Sequence, residues 1–200
     1  RFQAIAFVVI SAAVFVAASL WLNTLCGWLS APTLLIVCGY SYIKRVSQLS
    51  HFALGVALGL TPGAGWLAVG APLSFTPILL GMVVVFWVGG FDILYALADE
   101  GFDRTHRLRS IPAHCGAARA ILYARLAHGL SFLMMLALYV WLNSPVWGYL
   151  TLLPVLGLFL RQHTLVRADD LSRLNAAFFT MNGWIGVAFA LGVGLMYFLR

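Results

Sequence analysis

The chain has 200 residues, of which 62% are hydrophobic and 9% charged, with 12 Lys and Arg against 6 Asp and Glu for a net charge of +6. Its mean hydropathy of +0.96 excludes a soluble globular domain, where roughly 25% of residues are charged, and makes it an integral membrane protein of the all-α class. Basic residues of membrane proteins collect in cytoplasmic loops, so the positive balance does not call for nucleic acid, and no nucleic-acid partner is expected. The cysteines Cys26, Cys38 and Cys115 form no Cys-x-x-Cys pair, which leaves neither a disulfide framework nor a zinc site.

The first apolar run, residues 4–22, is long enough to cross a bilayer. The chain opens on Arg1 rather than Met, and a helix starts almost at once, so it reads as part of a longer protein. A cleaved signal peptide is disfavoured, because the run is too long for an h-region and Ala31-Pro32 is a poor cleavage context. Asn23, Gly27, Ser30 and Pro32 punctuate a turn before a second run, residues 33–42, that begins within the turn and closes on Lys44 and Arg45. A third run covers residues 52–69, with Gly70, Pro72 and Ser74 marking the next turn.

The fourth run, residues 77–98, leads into the most polar stretch of the chain, residues 99–119. Residues 120–142 form a fifth helix whose start, with Arg119, Arg125 and His128, is amphipathic, and Asn143-Ser-Pro is a helix-breaking turn. A sixth run spans residues 146–160, and a seventh runs from about 171 to 199 behind Asp169-Asp170, a candidate N-cap pair. Seven spans form one domain over residues 1–200 and place Arg1, Lys44, Arg45, the arginines of residues 99–125, Arg161, Arg167 and Arg173 on one side, with Arg200 alone on the other. The positive-inside rule makes the basic side cytoplasmic. All six acidic residues and all five histidines fall toward it, so any polar chemistry opens to the cytoplasm.

Residues 92–110 hold four of the six acidic residues. Asp92, Tyr95, Asp99 and Asp103 are spaced three or four apart, so a continuous helix stacks them on one face. Asp99, Glu100 and Asp103 at a helix C-terminus oppose its dipole and one another, and call for a cationic partner. Arg104, Arg107 and Arg109 are one source, and a hard divalent ion is another, since magnesium uses one or two carboxylates plus substrate phosphates. A plain reading is a mixed-charge loop that stops the helix from sliding. Asp92, about two turns inside the apolar run, favours function, because ionisable groups at membrane depth are costly. Lys44 and Arg45, as a bare pattern, are topology signals first. His51, His106, His114 and His163 read as interfacial, with no His-x-x-x-His pair for a metal. Asn175 and Asn182, two turns apart, are placed to bond between helices or line a cavity.

Gly90-Phe-Asp-Ile-Leu-Tyr-Ala-Leu-Ala-Asp-Glu-Gly-Phe-Asp-Arg, followed by Arg109-Ser-Ile-Pro-Ala, resembles the second aspartate-rich motif of the UbiA superfamily of intramembrane aromatic prenyltransferases. Tyr40-Ser-Tyr-Ile-Lys-Arg is similar to that family's Tyr-x-x-x-Lys-Arg loop, and the stretch from Asp169 to Gly183 to the last helix of its bacterial quinone-pathway branch. The resemblance implies a bundle in which this chain supplies helices three to nine of nine, in the inner membrane of a bacterium. It implies transfer of a polyprenyl group from its diphosphate to an aromatic acid or hydroxynaphthoate in ubiquinone or menaquinone synthesis, with hydroxynaphthoate modestly favoured. It also implies magnesium on Asp99 and Asp103, diphosphate on Lys44, Arg45 and Arg109, and Asp92 and Tyr95 beside the reacting groups, Asp92 as a ligand through water or an orienter of the aromatic substrate. The family's first motif, Asn-x-x-x-Asp-x-x-x-Asp, is absent from this chain, so the chain alone is expected to be inactive.

Two other classes compete. A CDP-alcohol phosphotransferase would need Asp-Gly-x-x-Ala-Arg ahead of its aspartates, which is missing. A transporter or assembly subunit with a cation-binding acidic patch would show broken helices. Gly55, Gly59, Gly63 and Gly65 hint at these, though small residues in membrane helices more often permit close packing.

Overall fold

In the computed structural model, which describes residues 2–72 and 74–199, the polypeptide is helical with no strand among the described residues. Arg1 and Arg200, which entered the charge reading, lie outside them. Helices α1 (Phe2–Leu22) and α2 (Thr24–Val46) are separated by Asn23 alone. Asn23 is fully extended, with φ −168°; its side-chain oxygen accepts from the Cys26 N–H at 2.8 Å and its amide donates to the Leu67 carbonyl at 2.9 Å. One residue thus caps α2 and pins the hairpin to α3. The expected turn through Pro32 does not form, and α2 runs straight across it. The hydroxyls of Ser30 and Thr33 bond to the Gly27 and Leu29 carbonyls on either side of Trp28, whose carbonyl loses its N–H partner at Pro32.

Then follow α3 (Ser50–Ala68), α4 (Thr76–Tyr95), two short helices α5 (Glu100–Thr105) and α6 (Ile111–Cys115), and α7 (Ala117–Trp141). A 3₁₀ segment, Val146–Thr151, leads into α8 (Leu152–Thr164), and a π-helical turn, Ala176–Thr180, into α9 (Met181–Phe198). Each of the seven expected runs corresponds to helix. Five are long and apolar enough to cross a membrane, namely α1, α2, α4, α7 and the continuous stretch Ala176–Phe198. Of the others, α3 is diluted by its glycines, Pro62 and His51, and α8 has 13 residues.

The packed centre is α3 against α4 and α4 against α7. Glycine lets α3 and α4 touch backbone to backbone, since a Cβ on Gly59 would come 2.9 Å from the Gly81 carbonyl oxygen and one on Gly81 2.8 Å from that of Gly59. Helix α3 is unbroken across its glycines, so Gly55 and Gly59 serve contact rather than interruption. We expect Gly81→Ala to cost about 1–3 kcal/mol through overpacking, seen as a lower unfolding midpoint in detergent; an unchanged midpoint would mean the two helices are not in contact. One core gathers Ile93, Leu94, Ala120, Ala124 and Ala177, and another Val83, Met135, Tyr139, Val155 and Ile185. Helices α1 and α2 expose apolar side chains widely, Trp21 at 92% and Leu35 at 76%, the surface expected of helices facing lipid.

The end of α4 departs from the expected continuous helix. It stops at Tyr95, and the N–H groups of Ala98, Asp99 and Glu100 bond three residues back rather than four. A new helix then starts at Glu100, which puts Glu100 and Asp103 in its first turn. Carboxylates are favoured at a helix N-terminus and disfavoured at a C-terminus, so the break removes the conflict. The last helix also begins late. Asp170 accepts from the Ser172 N–H at 2.9 Å in a turn ahead of the helix instead of capping it, and the π turn shifts the register between Asn175 and Asn182.

Candidate active site

The C-terminal end of α2, the first turn of α3 and the end of α4 enclose a pocket of about 280 Å³, lined by Lys44, His51, Asp92, Tyr95 and Asp99 among others. Four residues singled out from sequence, Lys44, Asp92, Tyr95 and Asp99, therefore line the same pocket. Tyr95 stacks on Phe178, ring centroids 4.4 Å apart.

His51 was expected at the interface and is instead 2% exposed. Its Nδ1 lies 2.7 Å from Asp92 Oδ2, and its Nε2 3.3 Å from the Ile111 amide nitrogen. An amide N–H can only donate, so Nε2 is the bare nitrogen and Nδ1 carries the proton given to Asp92. This pattern fixes the ring in one orientation. Ile111 opens α6, where the first N–H groups have no partner within the helix, and His51 satisfies one of them. A single imidazole thus joins α3, α4 and α6. The sequence offered only a lone histidine opening a helix; its partner lies 41 residues away.

Asp103 is fully buried. Lys44 Nζ sits 2.9 Å from Asp103 Oδ1, an ion pair, yet off hydrogen-bonding direction, so both carboxylate oxygens lack a hydrogen bond. Glu100 pairs with Arg104 at 2.8 Å one turn on. Three of the four carboxylates of the motif are therefore answered by this chain's own side chains. Asp99, exposed at the pocket mouth, has no side-chain partner among the described residues.

Two predicted cations turn elsewhere. Arg45 lies over the Tyr42 ring at 5.5 Å. Arg109 donates from its amide to the Lys44 carbonyl and from Nη1 to the Val46 carbonyl, both at 2.8 Å, closing the exposed end of α2 as basic residues do at helix C-termini. Asn182 accepts from Trp87 at 3.0 Å and Gln162 at 3.1 Å, knitting α4, α8 and α9, whereas Asn175 is exposed. His106 and His114 are exposed, and His163 pairs with His128 at 2.9 Å.

No group of three or more His, Cys, Asp and Glu that could hold a metal forms among the described residues. The chemistry of a hard cation still fits. The carboxylate of buried Asp103, ion-paired with Lys44 but without a hydrogen bond, and the free carboxylate of Asp99 give two oxygen donors, the number magnesium takes when substrate phosphates and water supply the rest.

Together these features define a polytopic helical membrane protein with a carboxylate- and lysine-lined pocket at the meeting of helix ends. The UbiA prenyltransferase family model matches residues 1–198, and the chain belongs to that family. It is 28% identical over 179 residues to the 4-hydroxybenzoate octaprenyltransferases of Escherichia fergusonii and Salmonella paratyphi B, covering 89% of this chain and 61% of each relative. The chain thus spans about three fifths of the length of these curated relatives. A UbiA homolog from Aeropyrum pernix K1, solved in the apo form, superposes with a TM-score of 0.83 at 25% identity, over 96% of this chain and 72% of that one.

Proposed function

We propose that this chain carries one substrate-activating site of an enzyme that moves a polyprenyl group from its diphosphate onto an aromatic acceptor of the 4-hydroxybenzoate or hydroxynaphthoate type. The observation that carries the proposal is Asp99, an unpartnered carboxylate that lines one pocket with Lys44, the lysine ion-paired to buried Asp103. The names of the relatives favour 4-hydroxybenzoate, against the hydroxynaphthoate expected from the motif alone. In this reading the membrane is the inner membrane of a bacterium and the pocket opens to the cytoplasm.

Asp99 and Asp103 would hold magnesium, which as a Lewis acid neutralises charge developing on the leaving diphosphate. Lys44 binds the phosphates, with Arg45 and Arg109 close behind it in sequence and fold. The ring carbon of the acceptor forms its new bond to the allylic carbon as the carbon–oxygen bond to diphosphate breaks, the electron pair leaving with the diphosphate. The ring proton passes to Asp92, whose carboxylate His51 holds in place. Tyr95 and Phe178 present aromatic faces, which stabilise cations and exclude water.

With no Asn-x-x-x-Asp-x-x-x-Asp pattern in its sequence, the chain would supply one of two acidic sites and be inactive by itself. The test therefore uses the intact gene product in membranes, with radiolabelled polyprenyl diphosphate and each acceptor. Asp99→Asn and Asp103→Asn should each lower kcat by about a hundredfold or more, the scale of losing one charge-stabilising contact in the transition state. Undiminished transfer in both variants would refute the assignment. Substrate-dependent ion flux without transfer would favour a transporter.

A further inference from the structure

Larger hollows than this pocket lie away from it, between α7 and α8. Two adjoining hollows of about 430 and 440 Å³ share Arg125, His163 and Thr164. One is polar and continues to Arg167 after α8; the other is apolar and follows Phe132, Leu156 and Phe159. None of these residues lines the pocket at α2–α4. Leu160 on α8 lines the apolar hollow and is exposed, and exposed Leu126 and Leu130 follow the lining residues Arg125 and Gly129 on α7, so the cleft opens among side chains of the kind that face lipid.

The polar hollow has an identifiable set of donors and acceptors. Arg125 forms no ion pair among the described residues. Arg167 shares a turn with Asp170, but that carboxylate accepts from Ser172. His128 Nε2 lies 3.3 Å from the Trp87 carbonyl oxygen, which can only accept, so Nε2 bears the proton and Nδ1 is bare. His128 Nδ1, 2.9 Å from His163 Nε2, then accepts from it, which leaves His163 Nδ1 as a bare acceptor. That atom is buried with no partner. The ring of His128 lies so close to Gly90 that any Cβ there would collide with it, so the pair is seated firmly on α4.

Two guanidinium groups ask for a phosphate, and a buried bare nitrogen asks for an O–H or N–H. A zwitterionic amine headgroup would set its ammonium beside two arginines; an anionic phosphodiester with a free hydroxyl meets both demands. Basic pockets between membrane helices bind anionic headgroups by this chemistry. We infer that the α7–α8 cleft binds one anionic phospholipid with a hydroxylated headgroup. The phosphate sits on Arg125 and Arg167, the hydroxyl donates to His163 Nδ1, and an acyl chain lies along Phe132, Leu156 and Phe159.

Native mass spectrometry of the purified chain in detergent tests this, with phosphatidylglycerol, phosphatidylmethanol (the same charge without a hydroxyl) and phosphatidylcholine titrated separately. Phosphatidylglycerol should form a one-to-one adduct at the lowest concentration. R125Q/R167Q should weaken it about thirtyfold, the effect of two charges near a membrane surface, whereas R119Q/R161Q, which alters arginines outside the cleft, should change it little. His163→Phe should remove the advantage of phosphatidylglycerol over phosphatidylmethanol while keeping that of phosphatidylmethanol over phosphatidylcholine. Equal binding of phosphatidylglycerol and phosphatidylcholine, or equal losses in the two arginine pairs, would overturn the inference.

Discussion

Lys44→Met is expected to lower the stability of the fold by about 3 kcal/mol. The variant leaves Asp103, whose side chain is 1% exposed, as a buried carboxylate with neither an ion-pair partner nor a hydrogen bond. Removing one partner of a buried pair typically costs about 3–5 kcal/mol, because the remaining charge is uncompensated. Lys44 is itself 30% exposed, so water screens part of the attraction and the lower figure applies. A second variant separates charge from packing. Lys44→Met combined with Asp103→Leu removes both charges, and replacing a buried pair by apolar groups is often neutral or stabilising, so the double variant should recover most of the loss. Thermal unfolding in one detergent gives all three midpoints, and a double variant no better than Lys44→Met would show that Asp103 is not strained by isolation.

His51→Leu is the second large effect, again about 3 kcal/mol. A hydrogen bond to a charged group contributes about 1.5–3 kcal/mol and a neutral one about 1 kcal/mol, and this ring makes one of each, to Asp92 and to the Ile111 N–H. Hydrogen bonds between membrane helices average only about 0.6 kcal/mol, so the loss should come mainly from stranding Asp92. Amide exchange localises it: the Ile111 N–H should exchange faster in His51→Leu while amides in the middle of α7 change only with global stability. A midpoint within about 0.5 kcal/mol of the unsubstituted chain, the usual range for surface changes, would show that the imidazole does not bind the three helices together.

The order of helices was legible because apolar runs bounded by Gly, Pro, Asn and charge leave little choice in a membrane. Pro32 misled because prolines are tolerated inside membrane helices, and α2 continues through it. The cluster Asp92, Tyr95, Asp99 and Asp103 was visible as a spacing, but its stacking on one helix was not what folds: the dipole conflict that made Asp99, Glu100 and Asp103 conspicuous also ends α4 and restarts the chain at Glu100. His51 was out of reach of sequence reasoning, since its role is set by partners 41 and 60 residues away. The same holds for Arg109, whose guanidinium fills a place at the end of α2 that no local pattern announces.

That attachment of Arg109 has mechanical meaning. Because its amide and its side chain both hold the last carbonyls of α2, the final turn of α2 is spliced to the peptide that leads directly into α6, and His51 rivets α6 in turn to α3 and α4. The rim of the pocket is thus a closed hoop instead of a hinged flap, and any backbone movement of the last turn of α2 must carry α6 with it and, through His51, pull on α3 and α4.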